Sequence, residues 1–282
     1  MVTDSDTNNT ESERKGLSTT ESGLLAALAE REVNIFTLSD VTSELNVSYP
    51  HAKVIVNRLV KKKWLIPLTR GTYLIVPFEA GVKSEYTEHE FVIASHLADP
   101  YYIGYWSALN YHGLTEQVPM TVYVVTTKRL QDRLILNTRY RFTTVIKRKF
   151  FGYTKESISD TKVNISDKEK TLADCLDHPE HCGGIGEIAK SLWAAKDDSS
   201  MEKVLNYALK MGNSAILKRL GFLLELLEID ISDKLRIKIR EHLKKGYVLL
   251  DPLEDARGYY STRWGLLINV SGDSILEWRQ GY

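Results

Sequence analysis

Residues 47–76 read VSYPHAKVIVNRLVKKKWLIPLTRGTYLIV, and this segment contains six Lys or Arg and no Asp or Glu. Its apolar residues recur at the spacing i, i+3, i+4, i+7 and i+8, which places them on one face of an α-helix. They are Ala52, Ile55, Val56, Leu59 and Val60. A rotation of about 100° per residue places Pro50, Val54, Asn57 and Lys61 on the opposite face, with His51, Lys53 and Arg58 beside them. The segment therefore predicts a helix that packs through one face and presents a positively charged face to solvent.

Short β-prone runs follow this helix. Trp64–Ile66 and Thr72–Val76 flank Pro67–Gly71, which has the composition of a turn and carries Arg70. Before residue 47, apolar spacing predicts one helix over 19–33 and a shorter one over 37–45, with residues 46–47 as a tight turn. The predicted N-caps of the three helices are Ser18 or Thr19, Thr37 with Asp40 in a capping box, and Ser48. Helix, short helix, turn, basic helix and β wing predict a winged helix-turn-helix, a DNA-binding fold.

The residues expected to contact DNA lie on the third helix, at its start and in the wing. They are Ser48, Tyr49, His51, Lys53, Val54, Asn57, Arg58, Lys61, Lys62, Lys63 and Arg70. The alternative is a helical bundle whose third helix carries a solvated charge run. We favour the DNA-binding fold because solvated runs usually mix charge signs and this one does not.

Composition restricts the class of protein. The 282 residues are enough for two domains, and 37 basic against 37 acidic residues argue against a general polyanion binder. Any affinity for nucleic acid must therefore come from local clusters of charge. Two cysteines cannot form a disulfide framework. The sequence has no apolar run long enough for a membrane span and no signal-peptide core, so we expect a cytoplasmic protein without membrane contact.

The predicted organisation is α+β, with a winged helix followed by a larger mixed domain. We expect a disordered tail at 1–16, the winged helix at 17–80, a linker at 77–85 and a larger α+β domain at 86–282. In that domain we expect helices over 87–97 and 104–112 and a strand over 121–127. A strand over 163–165 precedes a helix through Leu176, which Ser166 and Glu169 are expected to cap. Helices follow at 187–195, 199–211, 213–227 and 232–244. Strands at 247–250 and 264–270 are expected to join the sheet of this domain.

Strict alternation over Arg139–Lys147 predicts a half-buried strand with a basic outer face. Arg139, Arg141 and Lys147 fall on the outer face, and Tyr140, Phe142 and Ile146 fall on the buried one. Nine basic residues lie between 128 and 155, against the single acid Asp132. We call eight of them the second basic patch: Lys128, Arg129, Arg133, Arg139, Arg141, Lys147, Arg148 and Lys149. The patch is expected to be a functional binding surface, for DNA or for another role of this domain, and the alternative is a solvated sheet face.

Few residues suggest catalysis or metal binding. Cys175, His178, His181 and Cys182 lie within eight residues, but their spacing does not match the usual zinc-binding pairs, so we expect no metal. The triplet Asp160-Thr161-Lys162 resembles part of a nuclease motif that also arises by chance. The GGIG stretch at 183–186 follows a helix and lacks the Lys of a phosphate-binding loop, so a tight interhelical turn is expected. We predict no catalytic residue and no cofactor.

Three segments resemble a known family. They are RGTYLIVP at 70–77, YYIGYWSALNYHGLTEQVP at 101–119 and DKEKTLADCLDHPEHCGGIGEIAKSL at 167–192. They resemble the AbiEi family of abortive-infection antitoxins, transcriptional regulators of viral (phage) defence, and the resemblance runs from about Leu17 to the C-terminus. It implies that a winged helix binds operator DNA, with inverted repeats, and represses its own operon. It also implies that the larger domain antagonises a nucleotidyltransferase-like toxin in a type IV system, which need not involve a stable complex.

The expected function is therefore that of a non-enzymatic antitoxin and autoregulator. One alternative is a nucleic-acid-processing enzyme that uses the second basic patch with Asp160, or with the acids near Asp251 and Asp255. The other is a ligand-sensing transcription factor with an aromatic pocket. That pocket would be lined by Tyr101, Tyr102, Tyr105, Trp106 and Tyr111, although aromatic residues at this spacing more often form core.

Overall fold

The computed structural model describes residues 14–76 and 89–281. The chain divides into two compact units, Met1–Glu88 and His89–Tyr282. Both units contain helices and sheets, which confirms the predicted α+β class. Residues 1–13 of the predicted tail and the whole predicted linker at 77–85 lie outside the described residues. Within those residues, no helix is both long enough and apolar enough to cross a membrane.

The N-terminal unit contains three helices and one three-stranded sheet. Its elements are α1 (Thr19–Glu30), β1 (Ile35–Thr37), α2 (Leu38–Leu45), α3 (Tyr49–Lys61), β2 (Leu65–Thr69) and β3 (Thr72–Ile75). The strand order is β1-β3-β2, and both pairings are antiparallel. The three helices and both strands of the wing were predicted, but β1 was not. β1 has only three residues, and its pairing with β3 joins Ile35 to Leu74 across about half of the unit.

Local capping signals fix the helix starts in this unit. Ser18 and Glu21 form a reciprocal capping box at α1, and Thr37 and Asp40 form another at α2, as predicted. Asn46 ends α2 with a left-handed φ of 50°, which directs the chain into the turn before α3. Ser48 occupies the N-cap position of α3, but its side chain makes no capping hydrogen bond. The predicted N-cap position of Ser48 is therefore confirmed, but the capping hydrogen bond to its side chain is absent.

Two residues assigned to the tail pack on the N-terminal unit. The Arg14 guanidinium lies 4.6 Å from the centroid of the Trp64 ring. The Trp64 indole Nε1 donates a hydrogen bond of 2.9 Å to the carbonyl oxygen of Lys15. A buried indole N–H needs an acceptor, so the chain just before α1 completes the environment of Trp64.

The C-terminal unit combines a six-stranded mixed sheet, a helical core and a small second sheet. Its first elements are α4 (Glu90–Ser95), β4 (Tyr101–Ile103), α5 (Tyr105–Tyr111), β5 (Thr121–Thr126), β6 (Arg133–Ile135), β7 (Thr138–Thr144), β8 (Tyr153–Ile158) and β9 (Thr161–Ser166). The remaining elements are α6 (Lys168–Asp177), α7 (Gly184–Ala195), α8 (Met201–Met211), α9 (Ser214–Leu226), α10 (Asp233–Glu241), β10 (Val248–Leu249), β11 (Tyr259–Ser261), β12 (Leu266–Ile268) and α11 (Gly272–Leu276). The larger sheet has the order β6-β7-β5-β4-β9-β8.

The C-terminal strands do not join the larger sheet, so that prediction is wrong. They form a separate sheet of order β10-β12-β11. Leu250, Trp264, Leu266 and Ile268 are buried in the core formed by the helices of this unit. The buried guanidinium of Arg219 on α9 donates hydrogen bonds to the carbonyl oxygens of residues 249 and 250. The small sheet is therefore stabilised by the helices against which it packs.

The predicted strand over Arg139–Lys147 ends early. Tyr140 and Phe142 are buried as predicted, but the alternation then breaks, because Val145 is 8% exposed and Ile146 is 59% exposed. The partner strand β5 ends at Thr126, which pairs with Thr144, so the residues after Thr144 have no strand to continue the ladder. Residues 147–149 form a 3₁₀ turn instead. The prediction that Ile146 is buried and Lys147 lies on the strand is wrong.

The cap of α6 also differs from the prediction. Asp167, not Ser166, is the N-cap, and its carboxylate accepts a hydrogen bond of 2.8 Å from the backbone N–H of Lys170. Ser166 is the last residue of β9, and its hydroxyl lies 2.7 Å from the hydroxyl of Thr171. Glu169 accepts a hydrogen bond of 2.8 Å from Lys203. The N-cap therefore lies one residue later than predicted, and the predicted capping box does not form, because Lys170 now occupies the position where Glu169 was expected.

Candidate nucleic-acid interface

Helix α3 separates an apolar face from a polar one. Ala52, Ile55, Val56 and Leu59 are buried in the core of the N-terminal unit, and Val60 packs against that core. This is the face that the spacing of apolar residues predicted. Because these side chains anchor α3 along its length, the opposite face is held in a fixed orientation toward solvent.

The exposed face of α3 carries cations, an amide and two apolar side chains. Tyr49 is 57% exposed and Val54 is 45% exposed, although both are large and apolar. Ten of the eleven predicted contact residues are exposed: Ser48, Tyr49, His51, Lys53, Val54, Asn57, Arg58, Lys61, Lys63 and Arg70. An amide and an exposed aliphatic side chain among cations can contact base edges as well as phosphates.

Lys62 differs from the other ten. Its ammonium donates a hydrogen bond of 2.6 Å to Glu21, whose side chain is almost fully buried. Lys62 therefore links the end of α3 to the first turn of α1, and its charge is largely neutralised. The sequence did not predict this pair, because it joins residues 41 positions apart.

The turn between β2 and β3 presents Arg70 next to a glycine in a required conformation. Gly71 has a φ of +86°, a left-handed conformation that favours glycine. Its carbonyl oxygen accepts a hydrogen bond of 3.0 Å from the backbone N–H of Leu38, the first residue of α2. The wing is therefore tied to the start of α2, and Arg70 is exposed beside that anchor.

The second basic patch lies on β6 and β7, on the loop before β6 and on the 3₁₀ turn after β7. Lys128, Arg129, Arg133, Arg139, Lys147 and Arg148 are exposed. Arg141 is half-buried, with Nε 3.4 Å from Asp132 and its guanidinium 5.9 Å from the Tyr123 ring centroid. Lys149 is also half-buried and donates to the buried carboxylate of Asp177. Arg141 and Lys149 are thus committed to partners within the unit.

A cluster between α6 and α7 contains two histidines considered above as zinc ligands, His178 and His181, together with Glu180. His178 Nδ1 is 2.9 Å from Glu180 Oε1, and the two side chains together with His181 could hold a metal ion. Glu180 raises the pKa of His178, although burial opposes this. Burial works to raise the pKa of Glu180, but hydrogen bonds from His178 and from backbone hold it at about 2. Burial lowers the pKa of His181. In the sequence these three residues lie in the tetrapeptide His-Pro-Glu-His at 178–181, and the spacing of the cysteines and histidines did not indicate that Glu180 would join the two histidines.

Several of the residues on which the alternative functions depend are buried and contribute to the core or to its hydrogen bonds. Tyr101, Tyr102 and Tyr105 are buried core residues, and the Tyr102 hydroxyl donates a 2.9 Å hydrogen bond to Asp174. Asp251 is buried, and its carboxylate accepts a 2.7 Å hydrogen bond from the backbone N–H of Ile185 at the start of α7. Asp160 is exposed in the two-residue turn between β8 and β9. The aromatic cluster therefore belongs largely to the core, and Asp251 is engaged in holding α7.

One segment of the N-terminal unit is similar to a family of regulators. Residues 24–76 match a family model described as "Transcriptional regulator, AbiEi antitoxin". The match confirms the AbiEi-like character predicted from the sequence, in the segment that contains α3 and the wing. It supports a role as an antitoxin or transcriptional regulator.

A solved structure is similar over nearly the whole chain. The RV2827C protein from Mycobacterium tuberculosis has a TM-score of 0.66 and covers 94% of this chain and 96% of its own. The sequence identity is 14%, so this likeness concerns the fold alone. No curated protein sequence matches the chain significantly.

Proposed function

We propose that the N-terminal unit is a winged helix-turn-helix that binds operator DNA, and that the protein is a non-enzymatic antitoxin that represses its own operon. The exposed face of α3 carries this proposal. It presents Lys53, Asn57, Arg58 and Lys61, and the segment 47–76 contains no acidic residue in a chain whose formal net charge is zero. Such local concentration of one charge sign is the electrostatic feature expected of a DNA-binding surface.

The dimensions and side chains of α3 fit a major groove. Its 13 residues give a helix about 20 Å long, and the major groove of B-DNA, about 12 Å wide, admits one helix. The Asn57 amide can form two hydrogen bonds with adenine, and the Val54 side chain can contact a thymine methyl. Arg58, Lys61 and Arg70 are placed to neutralise phosphates, which supplies affinity without sequence preference.

The C-terminal unit is proposed to antagonise a nucleotidyltransferase-like toxin encoded next to this protein, in a type IV phage-defence system. This part rests on the AbiEi resemblance, because the family match covers residues 24–76 of the N-terminal unit. The operator is expected to contain inverted repeats. The second basic patch is proposed to extend the DNA contact.

A binding experiment with matched charge reversals tests the DNA-binding part. The full-length protein should bind a labelled duplex from immediately upstream of its own gene more tightly than a scrambled duplex of equal length. Reversing two exposed cations on α3 (Arg58→Glu with Lys61→Glu) should abolish this binding. Reversing two exposed cations on α10 (Lys234→Glu with Arg240→Glu) makes the same charge change in the other unit and should have little effect. Equal losses for the two pairs would indicate a general charge effect and contradict the proposal.

Two assays test the antitoxin and non-enzymatic parts. Cells that express the neighbouring toxin gene should stop growing, and co-expression of this protein should restore growth. The purified protein incubated with labelled DNA or RNA and a divalent metal should leave the nucleic acid intact. Cleavage that disappears with an Asp160→Asn substitution would favour the nuclease alternative instead.

A further inference from the structure

We propose that His178, Glu180 and His181 form a binding site for one divalent transition-metal ion, and that Zn²⁺ suits its ligands. One ligand atom from each side chain lies within 4.8 Å of the others. Two of them, His178 Nδ1 and Glu180 Oε1, are 2.9 Å apart. This site lies within the C-terminal unit and does not depend on the proposed DNA-binding function.

The backbone between α6 and α7 brings the three side chains together. Residues 179–181 form a single 3₁₀ turn, in which the backbone N–H of His181 donates a 3.0 Å hydrogen bond to the carbonyl oxygen of His178. Because residues i and i+3 eclipse in a 3₁₀ turn, the two imidazoles lie on the same side. Their ring centroids are 5.4 Å apart and the rings are nearly parallel, at 20°. Glu180 lies between them in sequence and contributes the third ligand.

The site contains a nitrogen with no partner. His181 Nδ1 is buried and has no hydrogen-bond partner among the described residues. An unsatisfied buried polar atom destabilises the folded chain, and a metal ion in contact with this nitrogen would remove that penalty. Tetrahedral zinc ligands at bond lengths near 2.1 Å lie about 3.4 Å from one another. Rotation of three half-buried side chains can bring ligand atoms that now lie within 4.8 Å to that spacing.

The surroundings resemble the outer shell of a metal site. His178 Nε2 lies 3.5 Å from Asp177 Oδ2, and a carboxylate on the far nitrogen of a ligand histidine fixes its ring and tautomer. Asp177 is in turn held by Lys149 and by a 2.6 Å hydrogen bond from Asn213. The rings of Tyr105 and Tyr123 flank His181, with centroids 5.0 and 5.5 Å away. The nearby cations Lys149 and Arg141 are paired with Asp177 and Asp132, and the Arg219 guanidinium donates to backbone carbonyl oxygens. The Glu180 carboxylate supplies the negative charge among the three ligands.

This site differs from the combination of two cysteines and two histidines considered in the sequence analysis, because it contains no cysteine. Cys175 and Cys182 are both fully buried in the helical core, and Cys182 Sγ lies 3.3 Å from the carbonyl oxygen of Pro179. Neither belongs to the cluster. Two imidazoles and one carboxylate are ligands that zinc accepts, and three protein ligands leave a coordination position open to water or to an anionic oxygen.

Calorimetric titration of untagged, full-length protein with ZnCl₂, after treatment with a chelator and dialysis, tests the site. We expect one equivalent to bind, and His178→Gln and His181→Gln to weaken binding by about 100-fold each. His242→Gln changes another histidine, at the end of α10, and should bind zinc like the wild type. Glu180→Gln keeps the size of the side chain and serves as a further variant should a histidine variant fail to fold.

Two further readouts distinguish a built site from surface binding. Co²⁺ in place of zinc should give the visible absorption of a tetrahedral or five-coordinate site in the wild type but not in Glu180→Gln. Saturating zinc should raise the Tm of the wild type and leave that of Glu180→Gln unchanged. Absence of one-equivalent zinc binding in the wild type, or equal binding in all four variants, would overturn the proposal.

Discussion

Lys62 and Glu21 form a largely buried ion pair, with 2.6 Å between Nζ and Oε2, that joins the end of α3 to the first turn of α1. Burial works to raise the pKa of Glu21, but hydrogen bonds from Lys62 and Ser18 outweigh it and hold that pKa below its usual value. Lys62 therefore stabilises the orientation of α3, the helix that we propose enters the major groove. It does not belong to the exposed cations of that helix.

Replacing Lys62 with methionine should destabilise the N-terminal unit. The substitution leaves a buried carboxylate without its cation, which costs about 1–3 kcal/mol. A carboxyl group with a depressed folded pKa adds stability above its unfolded pKa, near 4.3, and this stability is lost as the pH falls through the folded pKa. In Lys62→Met the pKa of Glu21 should rise, so acid unfolding of the unit should begin at a higher pH.

Hydrogen exchange of the full-length protein, measured on peptides from α1 and α3, reports the stability of the N-terminal unit separately from that of the C-terminal unit. Lys61→Met removes an exposed lysine one position earlier and should leave exchange unchanged. The same protection in Lys62→Met as in the wild type, at both neutral and acidic pH, would show that the pair contributes nothing.

Gly184 and Gly186 in α7 should respond to alanine in opposite directions. Gly184 has a φ of +84°, and a Cβ there would lie 2.6 Å from Asp251 Oδ2, the atom that accepts the N–H of Ile185. Left-handed backbone strain and the disturbed hydrogen bond should together cost Gly184→Ala about 2 kcal/mol or more. Gly186 has no atom within 4 Å of an added Cβ, so Gly186→Ala should gain about 0.5–1 kcal/mol from its helical propensity. Calorimetric unfolding of both variants measures the two changes; a Gly184→Ala variant as stable as the wild type would refute the role of Gly184, and a destabilised Gly186→Ala would contradict the gain expected from helical propensity.

Local signals made the N-terminal unit readable from sequence. The capping boxes at Thr37 and Ser18 and the apolar stripe of α3 each involve residues within one or two helical turns. Pairings between distant residues were not readable, because no local pattern specifies them. The strand at Ile35 pairs with Leu74, and the strand that holds Leu266 pairs with Val248 and Ser261 in a sheet of its own.

In the candidate sites, too, local patterns could be predicted from the sequence and contacts between distant residues could not. The exposed face of α3 follows from helical periodicity alone, so nearly all its residues could be predicted. The partners of Lys62, Arg141 and Lys149 could not be predicted, because Glu21, Asp132 and Asp177 approach them only in the folded chain. The cluster at 178–181 depends on a 3₁₀ turn, which eclipses His178 and His181 in a way that helical or strand spacing does not suggest.

The exposed cations of the second basic patch should contribute to operator binding. Arg139 and Lys147 are both exposed, and reversing them leaves the buried Tyr140 and Phe142 in place, so the unit should stay folded. Arg139→Glu with Lys147→Glu should weaken operator binding and lower its salt dependence, because fewer counterions are released. If the patch serves antagonism instead, operator affinity is kept and cells that carry the toxin gene stop growing. A variant that keeps both properties would show that this face is merely solvated.

Titrations of Asn57→Ala and Lys61→Ala against operator and scrambled duplexes, at several salt concentrations, test most directly whether α3 reads DNA. Asn57→Ala should lose about 1–3 kcal/mol of binding free energy on the operator and much less on the scrambled duplex. Lys61→Ala should weaken both complexes alike and lower the slope of log K against log salt by about one. Equal affinity of the wild type for the two duplexes, or an Asn57→Ala variant that binds the operator as the wild type does, would contradict the account.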